Sequence, residues 1–179
     1  LTPHIQIPYK DEKSPTLQDI SNSGIYNLGF LGLKACDSVL ENFLPWWMKK
    51  CQYHCYSSIE EGLFTDQKFC DYLPVFVEKS YIHSGSDANI AYWNLHERTI
   101  TEVNNNYFSN EEAVLFFHFS GLSYDENFNF IKLSKHENRF KKNISSALKN
   151  KINKYLSDLN INNEFFNDLK INYSYGLNN

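Results

Sequence analysis

The 179-residue chain predicts an α/β fold with a mixed sheet. Short apolar runs separated by polar breaks fill its middle, as strands do. Segments on either side repeat apolar residues at helical spacing. Aromatic residues supply a core: 12 Tyr, 14 Phe and 3 Trp, although abundant asparagine keeps the mean hydropathy at −0.50. A chain of this length fits one domain able to bury a sizeable interior.

The elements follow in chain order. Residues 9–22 (YKDEKSPTLQDISN) are polar around a proline and read as a loop with one helical turn. IYNLGFLGL, 25–33, reads as a buried strand in which Gly29 lets another group approach the backbone. Leu40, Phe43, Leu44, Trp47 and Cys51 share one helical face behind Asp37 or Ser38 as cap, and Pro45 either kinks or begins that helix. Thr65 opens TDQKFCDYL, a short helix ended by Pro74. From there to 119, SYIH, NIAYWNL, RTITEV and AVLFFHF read as strands, with a turn at Asn104–Asn106. A polar loop after Gly121 leads to a last helix. There Ile144, Leu148, Ile152, Tyr155, Leu156 and Leu159 recur at helical spacing behind Asn143 as cap. The final twenty residues are asparagine-rich with an amphipathic FFNDL patch. No internal repeat or low-complexity linker interrupts this order.

Charge is unevenly spread. Residues 1–131 carry 8 Lys/Arg against 17 Asp/Glu, a net −9, whereas 132–154 carry 8 against Glu137 alone, a net +7. The basic stretch reads first as the wet face of a helix. Its second reading is a peripheral contact to phosphates or an anionic membrane surface. The acidic remainder and the lack of a basic-aromatic motif speak against nucleic acid. No run of about 20 apolar residues could span a bilayer. LTPHIQIP, with neither a basic start nor an apolar centre, does not read as a signal peptide. The chain reads as starting in the middle of something.

Cysteines stand at 36, 51, 55 and 70. Cys51 and Cys55 flank His54, but a zinc site needs a second pair at ligand spacing, so buried free thiols in a reducing, cytoplasmic compartment are expected.

Four segments combine element ends with polar groups: SNSGIYNLGFLG, GLFTDQKF, NIAYWNLHER and FFHFSG. Taken singly, each has a plain reading: asparagine beside glycine is a turn, a DQ pair at a helix start is a cap, and a buried histidine is a hydrogen-bonded core residue. In this order they resemble the C-terminal half of GT-A-type glycosyltransferases, the nucleotide-diphospho-sugar transferase fold. Within it they look most like family 8 and its bacterial relatives. The matching motifs are YNLGFLGL, GLFTDQ and HFSG, and AYWNLHER resembles a segment of a bacterial subgroup linked to surface-polysaccharide synthesis. The resemblance covers about residues 1–140, leaving 141–179 as a helical tail or the start of a following segment.

The resemblance implies metal-dependent transfer of a sugar from a nucleotide-diphosphate donor to a glycan or lipid-linked acceptor, at or near the inner face of the cell membrane. Carried over position by position, it implies that His118 ligates Mn²⁺ or Mg²⁺ and that Gly121 lets the diphosphate approach the backbone. Asn27 and Gly29 would line the donor-sugar pocket, with Asp66 and Gln67 beside the transferred sugar as catalytic groups. Asn94 and His96 are candidates for the acceptor side. The chemistry agrees: a divalent cation takes up charge developing on a diphosphate leaving group. Two departures stand out. The family's DxD motif is absent and is expected upstream of Leu1, so the chain alone is expected to be inactive. LSYDEN replaces the family's lysine and Pro-Trp after HFSG, which leaves Lys135 as the candidate cation for the diphosphate. The competing reading is a non-catalytic carbohydrate-binding or structural module, in which Trp46, Trp47, Trp93 and the tyrosines stack on sugars; against it, Trp47 falls on the apolar helical face and reads better as core.

Overall fold

The computed structural model describes residues 1–141 and 144–170. Among them the fold is mixed α/β, but its sheets are small and antiparallel. β1 (Thr2–Pro3) pairs with β2 (Tyr26–Asn27). Between them lies α1 (Leu17–Ser23), opened by a reciprocal capping box of Thr16 and Asp19 and closed at Gly24. The segment expected to be a loop with one turn therefore holds a two-turn helix. The expected strand 25–33 is reduced to β2, because beyond Asn27 the backbone turns into the side-chain network described below.

The next helix runs through Pro45. A π-helical stretch, Ser38–Phe43, continues directly into α2 (Leu44–His54), and Pro45 sits at this junction, where it removes one helical donor. Asp37 makes no side-chain cap bond. The wider π turn brings Val39 and Phe43 inward and leaves Leu40 51% exposed, against the expected face. Phe43 packs with Cys70, Leu73, Trp46, Trp47 and Phe76, so Trp46 and Trp47 are both occupied as core. β3 (Ser57–Ser58) and β4 (Leu63–Phe64) form a hairpin. A 3₁₀ turn, Gln67–Tyr72, then leads into α3 (Leu73–Phe76); Pro74 lies inside the first turn of α3 rather than ending a helix.

Of the four expected strands in 80–119, one is regular. β5 (Ile100–Val103), β6 (Asn106–Ser109) and β7 (Glu112–Ala113) form a meander. Its turns place Asn104 and Asn105, then Asn110 and Glu111, at positive φ, as two-residue hairpin loops require. SYIH is irregular. NIAYWNL contributes one parallel bridge, Ile90 to Phe117, then turns into a 3₁₀ segment, Leu95–Glu97. AVLFFHF begins in β7 at Ala113; its extended remainder is held by Val114 N–H to Tyr107 O, by Leu115 N–H to Asp87 O and by that bridge, where His118 N–H donates to Ile90 O at 2.8 Å. After it, β8 (Ser123–Tyr124) and β9 (Phe130–Lys132) pair where a plain loop was expected.

The last helix, α4 (Ser146–Lys170), follows the anticipated spacing. Leu148, Ile152 and Leu156 are fully buried against Leu133, with Phe117, Phe119, Ile144, Tyr155 and Leu159 around them. The proposed cap Asn143 lies outside the described residues, and so does the chain beyond Lys170. No described helix is long and apolar enough to cross a membrane. The four cysteines are free: Cys70 is buried, with burial pushing its thiol up to about 12, and Cys55 is exposed rather than buried.

Candidate active site

A cleft of about 680 Å³ opens where the ends of β2, the 3₁₀ turn at Gln67 and the 118–120 segment meet. Asn27, Gly29, Asp66, Gln67 and His118 all line it. Residues up to 91 positions apart in the chain thus converge. Around them stand His4, Asp19, Phe64, Tyr92, Trp93 and His136. Asp19 and Asp66 carry negative charge there, and no Lys or Arg is among the lining residues.

Beneath the cleft lies a directional hydrogen-bond network whose sense is set by the main chain. Gln67 Nε2 donates to Ser23 O at 2.9 Å, so Oε1 faces the other way and accepts from Leu28 N–H at 3.0 Å. That oxygen also accepts from Asn27 Nδ2 at 3.0 Å. Asn27 Oδ1 is then turned to accept from Gly29 N–H at 2.8 Å and from Asn89 Nδ2 at 3.0 Å. The second Asn27 Nδ2 hydrogen points at His4 Nε2, 3.1 Å away. Burial pushes His4 down to about 4, so it is the neutral acceptor this arrangement needs. Asn27, Asn89, His4 and Gln67 are buried, and their mutual hydrogen bonds offset that burial, although His4 Nδ1 has no partner among the described residues.

His118 sits at the edge of this network. Its Nδ1 lies 3.0 Å from Asn89 Oδ1 and 3.2 Å from Asn27 Oδ1. Trp93 packs edge-to-face on both His118 and His4, at centroid distances of 5.1 and 5.4 Å. Desolvation holds His118 below the usual imidazole range. Its Nε2 makes no hydrogen bond among the described residues and is not among their buried unpartnered atoms, so it meets solvent. Gly29 leaves no room for a side chain: a Cβ there would lie 2.7 Å from Asn89 Oδ1, 2.8 Å from Asn27 Oδ1 and closer still to His118. The expected close approach to this glycine is thus real, and the approaching groups are protein side chains.

A single imidazole with an accessible Nε2 suits a divalent cation as one ligand. Among the described residues no group of three or more His, Cys, Asp or Glu could hold a metal. The described residues therefore do not by themselves form a metal site around His118.

The remaining candidates are placed differently. Asp66 keeps its carboxylate free of hydrogen bonds among the described residues, and its carbonyl accepts from Trp47 Nε1 at 3.0 Å. Gly121 takes a left-handed turn (φ 67°) with Ser134 against it, and Ser120 rather than Gly121 lines the cleft. Lys135 is exposed and lines neither this cleft nor the groove beside it. Asn94 is fully buried, donating to His4 O and Asn89 O and accepting from Ala91 N–H. His96 bonds Ile7 O at 2.6 Å and packs at a tilt against Tyr9. Both fasten the N-terminal segment rather than line the cleft. An adjoining groove of about 690 Å³ shares Gly29, His118 and Ser120 with the cleft. Lys151 is its one charged lining residue, with its ammonium 5.4 Å from the Tyr107 ring centre and 5.7 Å from that of Phe117.

His4, Asn89 and Lys151 were not singled out from sequence. His4 stands in a proline-flanked N-terminal stretch, Asn89 reads as a strand start, and Lys151 is one lysine in a basic run.

No family model matches this chain, and no solved structure does. A curated protein is similar. It is the uncharacterized protein YfnF of Bacillus subtilis (strain 168), 29% identical over 99 residues, which are 55% of this chain and 32% of that protein. The aligned part thus spans about a third of the relative's length.

Proposed function

We propose that this chain is the C-terminal part of a GT-A-type, family 8-like glycosyltransferase that moves a sugar from a nucleotide-diphosphate donor to a glycan or lipid-linked acceptor. The observation that carries the reading is the convergence of Asn27, Gly29, Asp66, Gln67 and His118 on one cleft. The cleft chemistry suits a neutral polyhydroxylated ligand: the Asp19 and Asp66 carboxylates and the open His118 Nε2 for hydroxyl groups, and the Tyr92 and Phe64 rings for the apolar face of a sugar.

In this reading Asp66 lies beside the transferred sugar with its carboxylate available. Gln67 acts differently from the catalytic role first assigned to it, because its amide is spent holding Asn27 and Leu28. His118 would contribute one ligand to Mn²⁺ or Mg²⁺, which when bound neutralises charge on a diphosphate. Lys151, across His118 from the acidic cleft, replaces Lys135 as the cation for the phosphate end.

The test is calorimetric. Mn²⁺ and a uridine diphosphate sugar titrated into the full-length natural protein should give heat that is lost in His118→Ala. No heat with the intact protein would sink the donor-site reading. The aromatic lining also suits a non-catalytic carbohydrate-binding module. That reading is favoured if a simple sugar binds without metal and the sugar nucleotide binds no better.

A further inference from the structure

We infer that Asn89 is a positioning residue that presets His118 as the neutral imidazole with its proton on Nδ1, leaving the Nε2 lone pair for the cleft; this rests on the proposal that His118 is a ligand residue of the site.

The direction of every bond leading to His118 follows from groups with one possible role. Main-chain N–H groups of Leu28 and Gly29 can only donate, and Ser23 O can only accept. They orient Gln67 and Asn27, and Asn27 Oδ1 requires the Asn89 amide nitrogen to face it. The other Asn89 nitrogen hydrogen reaches Thr2 Oγ1 at 3.4 Å, whose own hydrogen goes to Asn27 O. Asn89 Oδ1 is left for His118, and an oxygen acceptor at 3.0 Å demands a hydrogen on Nδ1. A neutral imidazole holds one ring proton, so Nε2 carries none.

The backbone is shaped to this end. Asn89 is fully buried with φ 54°, a left-handed conformation that asparagine tolerates better than most residues. Nothing regular requires a left-handed residue there, because the parallel bridge begins at Ile90. The conformation directs the side chain back between Asn27 and His118. Such local strain at a polar site is commonly stored where geometry matters.

The test reads the tautomer directly. With ¹⁵N-histidine-labelled full-length protein near pH 8, long-range ¹H–¹⁵N correlation should give His118 a pyrrole-type Nδ1 and a pyridine-type Nε2. Asn89→Gly keeps the left-handed backbone and removes the nearer acceptor, leaving only Asn27 Oδ1 at 3.2 Å; it should raise the Nε2–H share of His118 from almost none to a clearly detectable fraction while His54, His83, His96 and His136, outside the network, keep their spectra. An Nε2–H tautomer in the wild-type protein overturns the inference even if the variant fails to fold, and so does an unchanged tautomer in a folded Asn89→Gly. Mn²⁺ added to the wild-type sample separates the two ideas. Nδ1–H without paramagnetic broadening of His118 keeps the positioning role and removes the metal reading.

Discussion

His4 exemplifies how a single residue couples the site to stability. Its buried Nε2 accepts from Asn27, and protonation would place two donors face to face. The unfolded chain binds this proton near pH 6.5, whereas the folded one does so only near 4. Between those values the unfolded state holds more protons, so stability falls as pH falls, by about 3 kcal/mol in all. Urea melts between pH 7 and 4 should show that slope, and His4→Phe should flatten much of it; an equally steep slope in the variant would remove His4 as its source. Residue-scale legibility was uneven. Asn27, Gly29, Asp66, Gln67 and His118 meet in one cleft, as was expected of segments that set small or polar residues at element ends. Asn94 and His96 were assigned to an acceptor side, yet the Asn94 amide is spent on His4 O, Asn89 O and Ala91 N–H, and His96 Nε2 on Ile7 O. His4 and Asn89 escaped because a histidine among prolines and an asparagine before an apolar run look like loop residues until the chain closes around them.

At the scale of elements, burial rather than propensity decides what is held firmly. Ile152 is fully buried at the centre of the α4 face. Ile152→Ala should cost about 3 kcal/mol in a denaturant melt. Val75→Ala, on a side chain 80% exposed in the short α3, should change stability by less than about 0.5 kcal/mol. Equal losses would mean that α4 does not support the rest. α4 was legible because its apolar spacing persists over many turns. The turn at Asn104–Asn105 was legible because asparagine accepts positive φ. The strands were over-read: most are two residues long, and their apolar residues serve rings packing on rings, such as Phe117 on Phe119, rather than a ladder. The π turn before Pro45 was invisible because the spacings of an α- and a π-helix diverge only gradually.

For the molecule as a whole, the uneven charge takes a spatial form. Lys149 and Lys154 are exposed on α4, and Lys135 and Lys141 are exposed before it, whereas Arg139 is held by Asp11, Lys13 O and Pro15 O. A peripheral membrane contact would draw about 1 kcal/mol from each free lysine near an anionic surface. On the membrane-contact reading, phosphatidylserine vesicles would pellet the protein at low ionic strength and release it in about 0.5 M salt, where screening is nearly complete. A doubly substituted Lys149→Gln, Lys154→Gln protein should pellet less. Pelleting that ignores both changes would leave the lysines as a solvated face. The polar network also has a temporal side. Bonds from Asn27 reach Gln67, Asn89 and His118 across 40, 62 and 91 residues of chain. Hairpins and α4 can form from near neighbours, but these links wait on the closure of long loops. In refolding, then, the histidine's proton finds its place on Nδ1 only when the last segments dock, and its signal would clock the final step rather than the collapse.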